Sequence, residues 1–205
     1  HLTVQEFLAA RHLVDTMTEE HIDGFVRSHI NVGTWQVVLQ FVAGLVKSSS
    51  RDIFIKLLPN STVEIRDRIQ NESSKPETLI SWPATRKDKL LAVQVCKCLH
   101  EISNEQQKES QNKLKEITFN TIYFIGLSLA PIDLAAIFHF LENAEEILYI
   151  NLALNDFGDL GANEVKKFIV NRERKVKWLL LNKNNLTDKA AKDLTTTLKQ
   201  SNNVN

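Results

Sequence analysis

Six side chains in the second half of the chain have the types and spacing to do chemistry, and that chemistry is contact. They are Tyr123, Tyr149, Asn151, Trp178, Leu180 and Asn182. The step from Tyr149 to Trp178 nearly equals the step from Tyr123 to Asn151. Strands recurring at that period would set each pair side by side, at the spacing of about 4.8 Å between neighbouring strands. Tyr and Trp offer a large apolar body with a polar handle and are frequent anchors of protein interfaces. The cluster reads in two ways. It is a surface that grips a ligand or partner, or it packs under a neighbouring segment of the intact protein.

Rival chemistries are poorly supported. His12, His21, His29, His100 and His139 show no metal-ligand spacing with Cys, Asp or Glu. Asp15, Glu19, Glu20 and Asp23 gather at one helix junction, where a solvated acidic face explains them better than acid–base work. Arg172-Glu173-Arg174-Lys175 is a mixed charge run and reads as solubility. No Ser, Cys and His arrangement resembles a nucleophilic triad. We therefore expect no catalytic residue and no metal ligand.

The elements that must position the cluster recur. Ile147-x-x-Ile150-x-Leu152-x-x-Asn155-x-Phe157 returns in full as Val176-x-x-Leu179-x-Leu181-x-x-Asn184-x-Leu186. Side chains two apart on a strand share a face. Ile150 with Leu152, and Leu179 with Leu181, would thus point inward. Tyr149, Asn151 and Ala153 in one unit, and Trp178, Leu180 and Asn182 in the next, would point outward. The asparagine falls where the chain turns, and its amide can satisfy backbone groups that no ladder reaches. Asp159, Thr187 and Asp188 are helix-start residues. Ala162, Val165, Phe168 and Ile169, then Ala191, Leu194 and Leu198, have helical spacing. A degenerate copy lies one slightly shorter period upstream, with Ile122 and Phe124 in the strand positions and Leu127 in place of the asparagine. A strand and a helix repeating together, with a period of about 29 residues, resemble leucine-rich repeats of the ribonuclease-inhibitor subclass.

Composition narrows the classes. Of the 205 residues, 25 are Lys or Arg and 25 are Asp or Glu, giving zero net charge. Nothing favours nucleic acid or an anionic membrane, and the apolar runs fall short of a membrane span. The two cysteines, Cys96 and Cys98, sit on one expected helix, too poorly aligned for a local disulfide. Cys98 falls on its apolar stripe and Cys96 off it. The chain opens on His1 and stops at Asn205, with Val204 falling where a further repeat would start after the one at Val176. We expect an internal fragment of a longer protein.

Ahead of the repeats the pattern is helical. Thr3-x-x-Glu6 suits a helix start, and Thr18 with Glu19 and Glu20 suits a second. Trp35, Val38, Phe41, Val42 and Leu45 mark a third, and Asp52–Leu58 a short fourth. Residues 61–70 read as helical, 71–84 as a loop and 86–102 as a long helix. Residues 104–115 read as a polar connection. No segment before 117 is read as a strand.

Three motifs then add a resemblance. His1-Leu2-Thr3-Val4-Gln5-Glu6-Phe7-Leu8-Ala9-Ala10 resembles the run closing the winged-helix part of NACHT and leucine-rich-repeat (NOD-like) innate immune receptors. Trp35-Gln36-Val37-Val38-Leu39-Gln40-Phe41-Val42-Ala43-Gly44-Leu45 resembles a stretch of their second helical domain, and Pro131-Ile132-Asp133-Leu134-Ala135-Ala136-Ile137 the start of their first repeat.

The resemblance implies a regulatory, ligand-sensing segment of a cytoplasmic receptor, with a protein or microbial ligand on the repeats. Its upstream NACHT module would bind and hydrolyse ATP, and the parent protein would self-associate. His1 would reach the phosphates of ADP in the closed state. This chain holds no phosphate loop of the Gly-x-x-x-x-Gly-Lys-Ser/Thr kind, so no cofactor and no ATPase activity are expected of it alone. The alternative is a stand-alone leucine-rich-repeat scaffold that binds protein without a nucleotide switch. The expected fold class is α + α/β: an all-helical domain followed by the start of a ribonuclease-inhibitor-type leucine-rich-repeat solenoid. Residues 1–17 would end the winged helix, 18–115 form the helical domain, and 116–205 hold about three truncated repeats.

Overall fold

A computed structural model describes residues 2–47, 50, 52–66, 77–102, 119–142, 144, 146–171 and 176–201. The chain forms two compact units, one of His1–Leu58 with Leu90–Glu116, the other of Pro59–Lys89 with Ile117–Asn205.

The first unit is built from helices α1 (Leu2–Thr16), α2 (Glu19–His29), α3 (Gln36–Leu45) and α4 (Asp52–Ile55), with most of α5 (Arg86–His100). Thr18 caps α2, its hydroxyl accepting from the His21 N–H at 3.4 Å. The apolar stripe of α3 buries Val38, Leu39, Val42 and Ala43. Phe7 of α1 meets Phe41 of α3 edge to face, centroids 5.5 Å apart. Gln94 on α5 donates to the Gln36 carbonyl at 3.1 Å.

Cys96 and Cys98 are both free and buried. Placing Cys96 off the apolar stripe was too narrow, because it is as buried as Cys98. Burial pushes both thiols above their usual range. Neither cysteine is expected to react with iodoacetamide in the native chain, and both should react after denaturation. Mass spectrometry of the alkylated chain checks this, and native-state labelling of either one refutes it.

The second unit centres on one sheet of β1 (Thr62–Arg66), β2 (Glu77–Trp82), β3 (Thr121–Tyr123), β4 (Tyr149–Asn151) and β5 (Trp178–Leu180), in that order. β1 and β2 are antiparallel, and the other pairs are parallel. Thr121, Tyr149 and Trp178 stand opposite one another, and so do Ile122, Ile150 and Leu179. Helices α6 (Pro131–Leu141), α7 (Gly158–Val170) and α8 (Asp188–Ser201) follow β3, β4 and β5, and they pack in sequence. Phe138 stacks on Phe168 between α6 and α7, centroids 4.4 Å apart.

This sheet overturns the expected fold class. An all-helical domain followed by the start of a leucine-rich-repeat solenoid needs no strand before residue 117. Here 62–66, read as helical, and 77–82, read within a loop, form a hairpin that continues into β3. Thr62, Val63 and Ile65 are β-branched residues of high strand preference. In β2, alternation buries Leu79 at 4% exposure and Ser81 at 9%. Trp82, at the end of β2, is fully buried. Its ring lies near Phe119, Phe124 and Phe140, with centroids 5.6, 5.8 and 5.5 Å away. The architecture is mixed α/β around a five-stranded, mostly parallel sheet.

The turns after β4 and β5 are tied by asparagines. Asn155 and Asn184 are 1% and 2% exposed. Asn184 Oδ1 accepts from the N–H groups of Asn155 and Asp156 at 2.8 and 3.0 Å. Leu154, Asp156, Lys183 and Asn185 all have positive φ, between 52° and 65°. Such backbone costs about 1 kcal/mol or more per non-glycine residue, and the amide bonds of the two asparagines hold it in place. Asp159, in the first turn of α7, accepts from the Thr187 N–H and hydroxyl at 2.9 and 2.8 Å. Those bonds draw its carboxyl below the usual range.

Candidate functional site

Alternation along the strands sorts the candidate residues. Ile122 and Ile150 are buried against the helices, and Leu179 is half-buried. The intervening side chains share the opposite face. Ser81, Thr121, Tyr149 and Trp178 form one row across four strands. Tyr123, Asn151 and Leu180 form the next. Between these rows and residues 83–89 lies a cleft of about 220 Å³, to which Leu79, Pro83, Ala84 and Lys89 also contribute.

The two ends of the cleft differ. At β5, Trp178 is 58% exposed and Leu180 47% exposed. At β3, Lys89 covers Tyr123, its ammonium 4.0 Å from the ring centroid. Lys89 is buried although it carries a charge. Burial lowers its pKa, and the positive charge of Arg86 lowers it further. The nearest carboxylate in sequence, Asp88, is engaged elsewhere. It accepts from the Thr85 hydroxyl at 2.6 Å and the Thr85 N–H at 3.1 Å. Among the described residues no carboxylate pairs with Lys89.

Five of the six contact residues named from sequence therefore line one cleft: Tyr123, Tyr149, Asn151, Trp178 and Leu180. Asn182 is exposed beyond the end of β5, and its carbonyl accepts from the Leu154 N–H at 3.0 Å. Ala153, expected to face outward, is buried. His1, the connection at 104–115 and the 172–175 charge run lie outside the described residues. Sequence reading missed Lys89, because a cation in the first turn of α5 looks like an ordinary solvated residue. It missed Ser81 and Leu79 because it saw no strand there.

Two carboxylates of the acidic cluster at the α1–α2 junction are paired within their own helices. Asp15 pairs with Arg11 at 2.7 Å and Asp23 with Arg27 at 2.8 Å, on exposed helix faces where such pairs contribute little. Among the described residues no group of His, Cys, Asp and Glu gathers as metal ligands do, and no helix is long and apolar enough to cross a membrane. The chain matches no protein-family model and no curated protein.

Proposed function

We propose that this chain is a non-catalytic protein-interaction module whose ligand lies across the open face of the sheet. One observation carries the reading. Trp178 and Leu180 stay exposed beside Tyr149, on the rim of a cleft that polar groups also line. Exposed apolar side chains clustered on a concave rim are typical of contact surfaces. The three NACHT-receptor motifs support placing the module in the regulatory, ligand-sensing segment of a cytoplasmic receptor. ADP or ATP would then belong to a module outside this chain, with His1 at its phosphates. Ligand would act by favouring the arrangement that binds it better.

The test is a selection from a random peptide-display library on the folded chain. Trp178→Ala should weaken the selected peptides about thirtyfold, a hot-spot loss of about 2 kcal/mol. It should leave the melting temperature nearly unchanged, since exposed substitutions shift stability by about 0.5 kcal/mol or less. Selected peptides that bind Trp178→Ala as tightly as the native chain would remove the reading.

A further inference from the structure

From Lys89 at the β3 end, which pairs with no carboxylate among the described residues, we infer that the cleft takes a peptide carrying an acidic side chain, its carboxylate seated between Lys89, Ser81 and Asn151, with an apolar neighbour on Trp178 and Leu180. This rests on the proposed interaction function and names the ligand chemistry of the same site.

Lys89 is 8% exposed, lines the cleft, and has no carboxylate partner among the described residues. Lys89 borders the cleft, so its charge is partly rather than fully desolvated, and a partly desolvated charge still gains from a partner. The contact with the Tyr123 ring supplies only part of that gain. The neighbouring polar groups are donors as well. Asn151 Oδ1 already accepts from the Ala153 N–H at 3.1 Å, which leaves its NH2 to offer. Ser81 is 9% exposed and lines the same cleft, its hydroxyl able to donate. Among the described residues no acidic side chain lines the cleft. A pocket of donors around a buried cation complements an anion.

The other end sets the apolar requirement. Tyr123 and Leu180 occupy the same row two strands apart. That is about 10 Å at the usual strand spacing, the reach of about three extended residues. A free anion such as phosphate would use the lysine and ignore the tryptophan. A peptide with an acidic and an apolar residue about three positions apart would use both.

The experiment uses the full chain and peptides selected on it from a random display library. Selected sequences should carry Asp or Glu about three positions from a large apolar residue. Replacing that acid by its amide should weaken binding to the native chain at least tenfold. The same replacement should make no difference on Lys89→Met. Lys89→Met should melt close to or above the native temperature, because removing a charge that pairs with no described carboxylate offsets the lost contact with the Tyr123 ring. A fall in melting temperature beyond that of Tyr123→Leu, which removes the same ring contact, would mean the ammonium has a further structural partner and would overturn the inference. Selected peptides that need Trp178 but show no acid, and bind Lys89→Met unchanged, would overturn it and leave the interaction function standing. Peptides that need neither residue would overturn both. Loss of binding on amidating the peptide's C-terminus, but not on changing its acidic side chain, would overturn the side-chain assignment.

Discussion

Asn155→Ala will lower the unfolding free energy of the sheet unit by about 3 kcal/mol, because each buried group left unsatisfied costs about 1–3 kcal/mol. The side chain is buried and its amide is fully engaged. Nδ2 donates to the carbonyls of Phe124, Leu152 and Ala153 at 2.6, 2.9 and 3.3 Å. Oδ1 accepts from the N–H groups of Leu127 and Leu129 at 2.9 and 3.4 Å. Alanine takes the acceptor from the Leu127 and Leu129 N–H groups and this donor from the Phe124 carbonyl, while the Leu152 carbonyl keeps Asn184 Nδ2 at 2.9 Å and the Ala153 carbonyl keeps the Gly126 N–H at 3.0 Å. Asn155→Asp is the sharper control. A carboxylate still accepts from Leu127 and Leu129 but meets the three carbonyls with like charge, so it should cost as much as alanine. Asn151→Ala, half-buried and with a single backbone bond at 3.1 Å, should cost less than about 1 kcal/mol. Denaturant titrations followed by tryptophan fluorescence compare the three variants. A loss below about 1 kcal/mol for Asn155→Ala would show that water replaces the amide.

The same asparagine explains what could be read from sequence. Ile150, Asn155 and Phe157 return together at Leu179, Asn184 and Leu186, and a register that repeats must satisfy strand, turn and helix at once. Those constraints are local, so they leave a mark on spacing. The β3 to β5 register and the shared face of Tyr149 and Trp178 follow from them. Leu127, in the upstream copy, has no amide to offer, and the Asn155 side chain reaches across to serve its N–H instead.

The hairpin is hidden for the opposite reason. β1 and β2 join through a long-range pairing, with Val63 opposite Ile80, and no local period announces it. The apolar residues Val63, Ile65 and Ile69 imitate helical spacing. Pro76 and Pro83 make the next stretch look like a loop. Alternation through Leu79 and Ser81 is present but short. Lys89 is beyond reach for the same cause. Its meaning depends on the ring of Tyr123, far along the chain, coming to lie 4.0 Å from its ammonium. Burial of a charge is a tertiary fact that helix periodicity does not encode.

The largest loss should come from Trp82, the residue that fastens this hidden hairpin to the rest of the sheet. It is fully buried, and its Nε1 donates to the Pro59 carbonyl at 2.9 Å. Its ring fills the space between Phe119, Phe124 and Phe140. Trp82→Ala should cost about 4–5 kcal/mol, the upper part of the range for large aromatic-to-alanine changes, because the Pro59 carbonyl loses its donor as well. That is a large share of the roughly 5–15 kcal/mol typical of a whole domain. Trp82→Phe keeps most of the apolar contact and should cost about 2 kcal/mol, part of it the orphaned carbonyl. The functional consequence is specific. β2 supplies Ser81 and Leu79 to the cleft, and the segment after Trp82 supplies Lys89. Trp178 and Leu180 sit on β5, three strands away. Under mildly destabilising conditions Trp82→Ala should therefore lose selectivity for acidic peptides before it loses apolar binding at Trp178. Equal loss of both at every denaturant concentration would mean that the five strands unfold as one unit, with no separable hairpin.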